Sequence, residues 1–385
     1  MCELKKKKTS SIPLFFIFSR LFLCFLSYFY LITDSSKYKL PEQIERMRIE
    51  ILGTESLGVR GLSCVVEVGE RKIVIDPGVA LGYNRHGLLP HPLQVAVGEV
   101  VRQKIIRAMA DATDIVFSHF HGDHVPLVDA NPFQLKAAAV AGLSQGHSHK
   151  PRFWAKGPRG LSQHMLHRAQ SLRIALHDEL RSAEGHSDGV LTFSRPVPHG
   201  LRGEHGGMVM MTRIEDERSV FVHASDIQLL DFDAIATILA WHPTIVLASG
   251  PPLYLPHLTQ KQRNAAWHNA IRLARGVDTL ILDHHLLRSE YGRRWLDSLA
   301  SIVGQGHHNH RVICAADFMN RSRMLLEAWR QRLYAEMPVP EGWHEAYARG
   351  EVDTRVYRDW ACRASTTREF LECRKSLCSY FKPGS

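Results

Sequence analysis

Seven consecutive residues, "SHFHGDH" at 118–124, hold three histidines and an aspartate. Imidazole and carboxylate are the groups that hold zinc and similar divalent ions, and a fold gains little from such a cluster unless an ion joins it. The segment leaves an apolar run, so His119 and His121 project to one side because extended residues alternate faces. Gly122 is expected to permit the sharp turn that returns Asp123 and His124 towards them. This offers two imidazoles to one ion and a carboxylate with an imidazole to another. A catalytic zinc takes three protein ligands and keeps a place for water, so other parts of the chain must contribute. Residues of the right type end further apolar runs: Asp76 in "KIVIDPG", His199 in "RPVPHGLRG", Asp226 in "FVHASDIQ", and His284 and His285 in "LILDHHLLR". Read singly, His199 is a loop histidine and Asp226 a helix cap; only together do they suggest a shared rim. Tyr254 in "GPPLYLPH" and Arg288 are candidates for substrate contact or for support of the ligands. His86, His91, His164, His167 and His205 read as solvent-facing or ordinarily hydrogen-bonded, and "GHHNH" at 306–310 as a turn.

The elements that must position these residues follow from periodicity. Short apolar runs at 49–53, 62–68, 72–78, 114–118, 150–155, 189–194, 207–214, 218–225, 244–249, 278–283 and 311–315 read as strands. Helical spacing covers 91–112, 161–176, 226–242, 259–276, 286–303 and about 317–335. Strands with helices interspersed in both halves suggest two packed sheets with helices outside, an α/β class.

Composition sets the bounds. The chain has 385 residues, 45% hydrophobic and 23% charged, which is globular usage. Its net charge is +9, but residues 1–46 carry eight Lys/Arg against four Asp/Glu, leaving 40 against 35 for the remainder. That surplus suits an anionic small-molecule or phosphoester substrate. No dense basic patch interleaved with aromatics marks a nucleic-acid partner. Seven cysteines at irregular spacing argue for a reducing compartment, and hence a cytoplasmic protein. The apolar stretch at 12–32 follows "KKKK" and carries Arg20 in its middle. Residues 1–46 are read as an upstream extension before a domain opening at Met47; the competing reading is a membrane signal anchor. Composition turns charged and aromatic after "MPVP", so 337–385 reads as an appended tail to a domain at 47–336.

The HxHxDH segment followed by isolated His, Asp and His resembles the metallo-β-lactamase superfamily over about 47–335. "ESLGVRG", "IDPGVALGYNRHGLLPHP", "PVPHG", "ASDIQ", "SGPPLYL" and "LDHHLLR" are similar to an uncharacterised, mostly prokaryotic branch of its metal-dependent hydrolases. The resemblance implies an αββα sandwich of two mixed sheets with two divalent ions at one edge. It implies that His119, His121 and His199 hold one ion, that Asp123, His124 and a late histidine hold the other, and that Asp226 bridges them. Asp76 would orient the site from behind. His284, first after the strand, is favoured over His285 as the late ligand. Histidine at 121 favours zinc over manganese or iron. The implied chemistry is hydrolysis of an ester, thioester, lactone or phosphoester by a hydroxide activated between the ions, with Asp123 aligning it or moving its proton. Two alternatives remain at this stage: a nuclease or phosphodiesterase of the same superfamily, and a metal-binding sensor or scaffold without catalysis.

Overall fold

In β3 (Arg71–Ile75), Ile73 and Ile75 enter one apolar cluster while Val74 enters another. The same alternation runs through β1 (Arg48–Gly53), β2 (Ser63–Val68), β4 (Asp114–Phe117) and β5 (Arg152–Ala155), so this sheet is buried on both faces. With β6 (Leu180–Ser182) the order is β1-β2-β3-β4-β5-β6, parallel from β3 onwards. The computed structural model describes residues 46–141, 150–177, 179–201, 207–305 and 310–358.

The second sheet is built from β7 (Ser187–Asp188), β8 (Leu191–Phe193), β11 (Thr212–Glu215), β12 (Val220–His223), β13 (Ile245–Ala248), β14 (Thr279–Leu282) and β15 (Arg311–Ile313). A two-stranded ribbon, β9 (Val197–Pro198) with β10 (Met208–Val209), lies between β8 and β11 in the chain. The order is β15-β14-β13-β12-β11-β8-β7, with β12 to β15 parallel. One cluster, with Ile51, Cys64 and Val66 from the first sheet and Phe221, Val246 and Ile281 from the second, fills the space between them.

Helices close both outer faces. On the first sheet lies α1 (Pro92–Ala110), its Val101 methyl pressed so close to Gly53 that a β-carbon there would stand 2.6 Å away. Short α2 (Ala138–Ala141) and α3 (Gln163–Ala175) belong to the same side through Val140, Met165 and Leu172. On the second sheet lie α4 (Phe232–Ala240), α5 (Gln260–Arg275) and α6 (Glu290–Gly304), which bury Ile235, Ala270 and Leu299. Short α7 (Ala315–Phe318), α8 (Arg330–Glu336) and α9 (Trp343–Ala348) complete the described chain. This is the αββα sandwich of two mixed sheets expected above.

Three elements differ from the periodic reading. The helix expected over 226–242 starts at Phe232, capped by Asp231, whose side chain accepts from Ala234 N. Asp226 is therefore no cap. The helix expected over about 317–335 is two pieces: Asn320 turns left-handed after α7, and Met324 N donates to Ser56 O, which ties the interval to the first sheet. The run 207–214 breaks because Met210 N donates to Ser118 O in place of a sheet partner. Among the described residues no helix is long and apolar enough to cross a membrane. The apolar stretch 12–32, "GHHNH" apart from His310, His205, and 359–385 lie outside the described residues.

Candidate metal centre

Every candidate ligand sits just past a strand. Asp76 follows β3, the histidine cluster follows β4, His199 follows β9, Asp226 follows β12, and His284 and His285 follow β14. Ligand crevices form where parallel strands end together at their carboxyl ends. The turn of the cluster is made by His124 N and Val125 N, both donating to His121 O. Gly122 serves it differently than expected: its φ is not left-handed, and the space its β-carbon would fill belongs to Leu127, 2.7 Å away. Gly78 is the tighter requirement, since a β-carbon there would lie 2.2 Å from the backbone at His124 and Val125. Asp76, Ser225 and His284 all take left-handed backbone (φ 48°, 53° and 29°), a cost that persists only where surroundings enforce it.

The side chains converge in two groups that share one aspartate. In the first, His119 Nε2 and His121 Nδ1 are 2.8 Å apart, and His199 Nε2 and His119 Nε2 stand 2.9 and 3.4 Å from Asp226 Oδ2. In the second, His124 Nε2 is 3.1 Å and His284 Nε2 3.4 Å from Asp226 Oδ1, and His284 Nε2 is 3.6 Å from Asp123 Oδ2. All seven expected ligands are thus brought together. His285 reaches the first group, its Nε2 3.2 Å from Asp226 Oδ2, whereas His284 lies with Asp123 and His124. Arg288 places Nη2 3.3 Å from Asp123 Oδ2 and Nη1 3.2 Å from the Tyr254 hydroxyl, so Tyr254 meets the centre through Arg288.

Behind the ring nitrogens stands a second set of polar groups. Asp76 accepts from His124 Nδ1 at 2.8 Å and from the Ser118 amide and hydroxyl at 2.8 and 2.6 Å. With its proton given to Asp76, the Ser118 hydroxyl can accept from His119 Nδ1, 3.0 Å away. Glu55 accepts from His284 Nδ1 at 2.7 Å, whereas the Gln228 amide nitrogen donates to His199 Nδ1 at 3.1 Å. On His119, His124 and His284 a proton held on Nδ1 leaves the Nε2 lone pair facing the centre, the arrangement that prepares histidine as a ligand. Sequence reasoning found Asp76 and missed Glu55 and Gln228. Glu55 carried a signal of the same kind, a carboxylate directly after a strand. His223, by contrast, donates its Nε2 proton to Leu62 O and is structural.

Burial pushes the His119 and His285 imidazoles down to about 3, the neutral state that a metal requires. Burial acts against charge on Asp226 too, but His124, His284 and His285 outweigh it and hold the carboxyl well below the usual range. Asp226 Oδ1 is fully buried and accepts no hydrogen bond among the described residues. A buried carboxylate oxygen left without a donor, ringed by imidazole nitrogens, is what a cation would complete. The donor set fits divalent ions.

No family model matches the chain. A UPF0282 protein of Methanosarcina mazei is 50% identical over 311 residues, 81% of this chain and 99% of that protein. A UPF0282 protein of Pyrococcus furiosus is 31% identical over 316 residues, covering 77% of this chain and 96% of its own. Among solved structures, an isothiocyanate hydrolase from Delia radicum gut bacteria shares 13% identity at a TM-score of 0.40, over 70% of this chain and 95% of that one. Tm1679, a metal-dependent hydrolase of the beta-lactamase superfamily, shares 13% at 0.39, over 66% and 93%. Likenesses this low carry no weight for activity.

Proposed function

The chain belongs to the UPF0282 family, and from the geometry of its centre we propose that it is a metal-dependent hydrolase acting on an ester, thioester, lactone or phosphoester. The observation that carries this reading is Asp226, whose two oxygens face two separate groups of donors. His119, His121 and His199 would hold one divalent ion, and Asp123, His124 and His284 the other, with Asp226 shared. The nitrogen-rich set favours zinc. Ions there would supply a water acidic enough to be a nucleophile near neutral pH and a Lewis acid for the substrate oxygen.

The chain's own residues do the rest. Asp76, Ser118 and Glu55 lock ring tautomers and orientation before substrate arrives. Asp123 is the less enclosed carboxylate, its side chain 18% exposed, and is placed to align the attacking water and take its proton. Arg288 is held beside it by Glu55, which accepts from its Nε at 2.6 Å. Its guanidinium offers positive charge to an oxygen that grows more negative in the transition state.

The full chain, purified with metal supplied, should carry about two ions by elemental analysis, as a preorganised pair of donor sets predicts. His121→Ala and Asp226→Ala should each lose metal, and a screen of ester, thioester, lactone and phosphodiester substrates should show turnover that Asp123→Asn abolishes. A chain that holds no metal under these conditions overturns the reading.

A further inference from the structure

Beside the metal centre lies a group of arginines that it does not use. Arg60, Arg85 and Arg330 all turn to the buried carboxylate of Glu327, at 2.5, 3.7 and 2.6 Å. Three guanidiniums against one carboxylate leave positive charge uncompensated at that point. Two of the three are well satisfied. Arg60 donates to Glu327 through Nε and Nη2, and Arg330 donates to Gln94, Glu327 and the carbonyls of Gly82 and Leu88.

Arg85 is not. Its Nη2 donates to the Arg288 carbonyl, its Nη1 reaches Glu327 only at 3.7 Å, and its buried Nε has no hydrogen-bond partner among the described residues. The side chain as a whole is 12% exposed. Arg85 stands over the Tyr254 ring, its Cζ 5.2 Å from the centroid, and the Arg288 Cζ stands 6.0 Å from the same centroid. Arg288 in turn touches Asp123. Thus Asp123, Arg288, Tyr254 and Arg85 form one continuous run of contacts that starts at the metal centre. A partly desolvated guanidinium with idle donors, crowded by other cations, is costly unless an anion completes it.

We propose that Arg85, at the far end of this run of contacts from Asp123, binds an anionic oxygen group, a carboxylate or phosphate, that the substrate carries away from the bond to be cleaved. The guanidinium fork suits either group. This inference rests on the hydrolase reading for the word substrate, but the anion site itself does not require metal.

The test is calorimetric titration of the full chain with inorganic phosphate and, separately, with acetate, both metal-replete and after chelator treatment. The expected result is that at least one anion binds the chelator-treated chain. Arg85→Gln should weaken it at least tenfold in both states, while Arg349→Gln, at an exposed arginine paired with Glu351, leaves it unchanged. The stronger of the two anions identifies the group. Should Arg85→Gln fail to melt cooperatively, Arg85→Met, which keeps the stem against Tyr254, takes its place. Equal binding by wild type and the Arg85 variant, or no binding of either anion to the chelator-treated chain, overturns the proposal. Loss of the hydrolase reading is separately visible, as absent metal or absent turnover with Arg85-dependent anion binding intact.

Discussion

His124 and His284 are each gripped from behind by a buried carboxylate, Asp76 and Glu55, at 2.8 and 2.7 Å. Such a partner fixes the ring and raises its basicity as a ligand. Glu55→Gln keeps the shape of the side chain and loses its charge. It should weaken zinc affinity by about 10–100-fold, measured by chelator competition, with the fold retained. Unchanged affinity would mean that Glu55 serves only Arg288. Asp76 was legible in the sequence because "KIVIDPG" ends in an acid before a turn. Glu55 also stands just past a strand, but nothing local pointed to its partner, which lies 229 residues away.

At the scale of elements, the loop after β3 and the loop after β4 touch backbone to backbone, which Gly78 alone allows. A β-carbon at Gly78 meets main chain at 2.2 Å, where no side chain can move aside. Gly78→Ala should cost about 1–3 kcal/mol or more in urea unfolding and lower the metal content as well, because the strain falls on His124. Helix α1 carries a second test. His91 caps it, with Nδ1 accepting from Leu93 N and Nε2 donating to Met337 O at 2.9 Å. Burial holds this imidazole down to about 4. The folded form resists a proton that the unfolded chain accepts below about 6.5, so the contribution of His91 is complete above that pH and is lost as pH falls towards 4. The shift corresponds to roughly 3 kcal/mol. Urea midpoints at pH 7.5 and 4.5 should fall further for wild type than for His91→Asn, which keeps a capping group that does not titrate. A parallel fall in both would remove His91 as the cause.

The molecule as a whole extends beyond the point where composition changes. After Met337 the chain returns over the first sheet's helix layer: Trp343 is 8% exposed, Tyr347 stacks on it and on Phe133, and His344 Nε2 donates to the carbonyl of Pro90. Residues 337–358 therefore share the core with α1, although their charge and aromatic content suggested a tail. Trp343→Ala should cost about 3–5 kcal/mol in chemical denaturation, and a cost below about 1 kcal/mol would show this segment to be peripheral. By itself the sequence determined what depends on neighbours a few residues away: strand and helix runs, the clustered histidines at 118–124, and acids or imidazoles closing other strands. Tertiary structure alone decided which of these meet. It put His284 rather than His285 beside Asp123 and His124, freed Asp226 from capping, brought in Glu55, and joined Arg85 to the centre through Tyr254 and Arg288. The physical reason is that alternation specifies which face of a strand is buried, while the pairing of strand ends depends on strand order and sheet packing, which no local pattern carries.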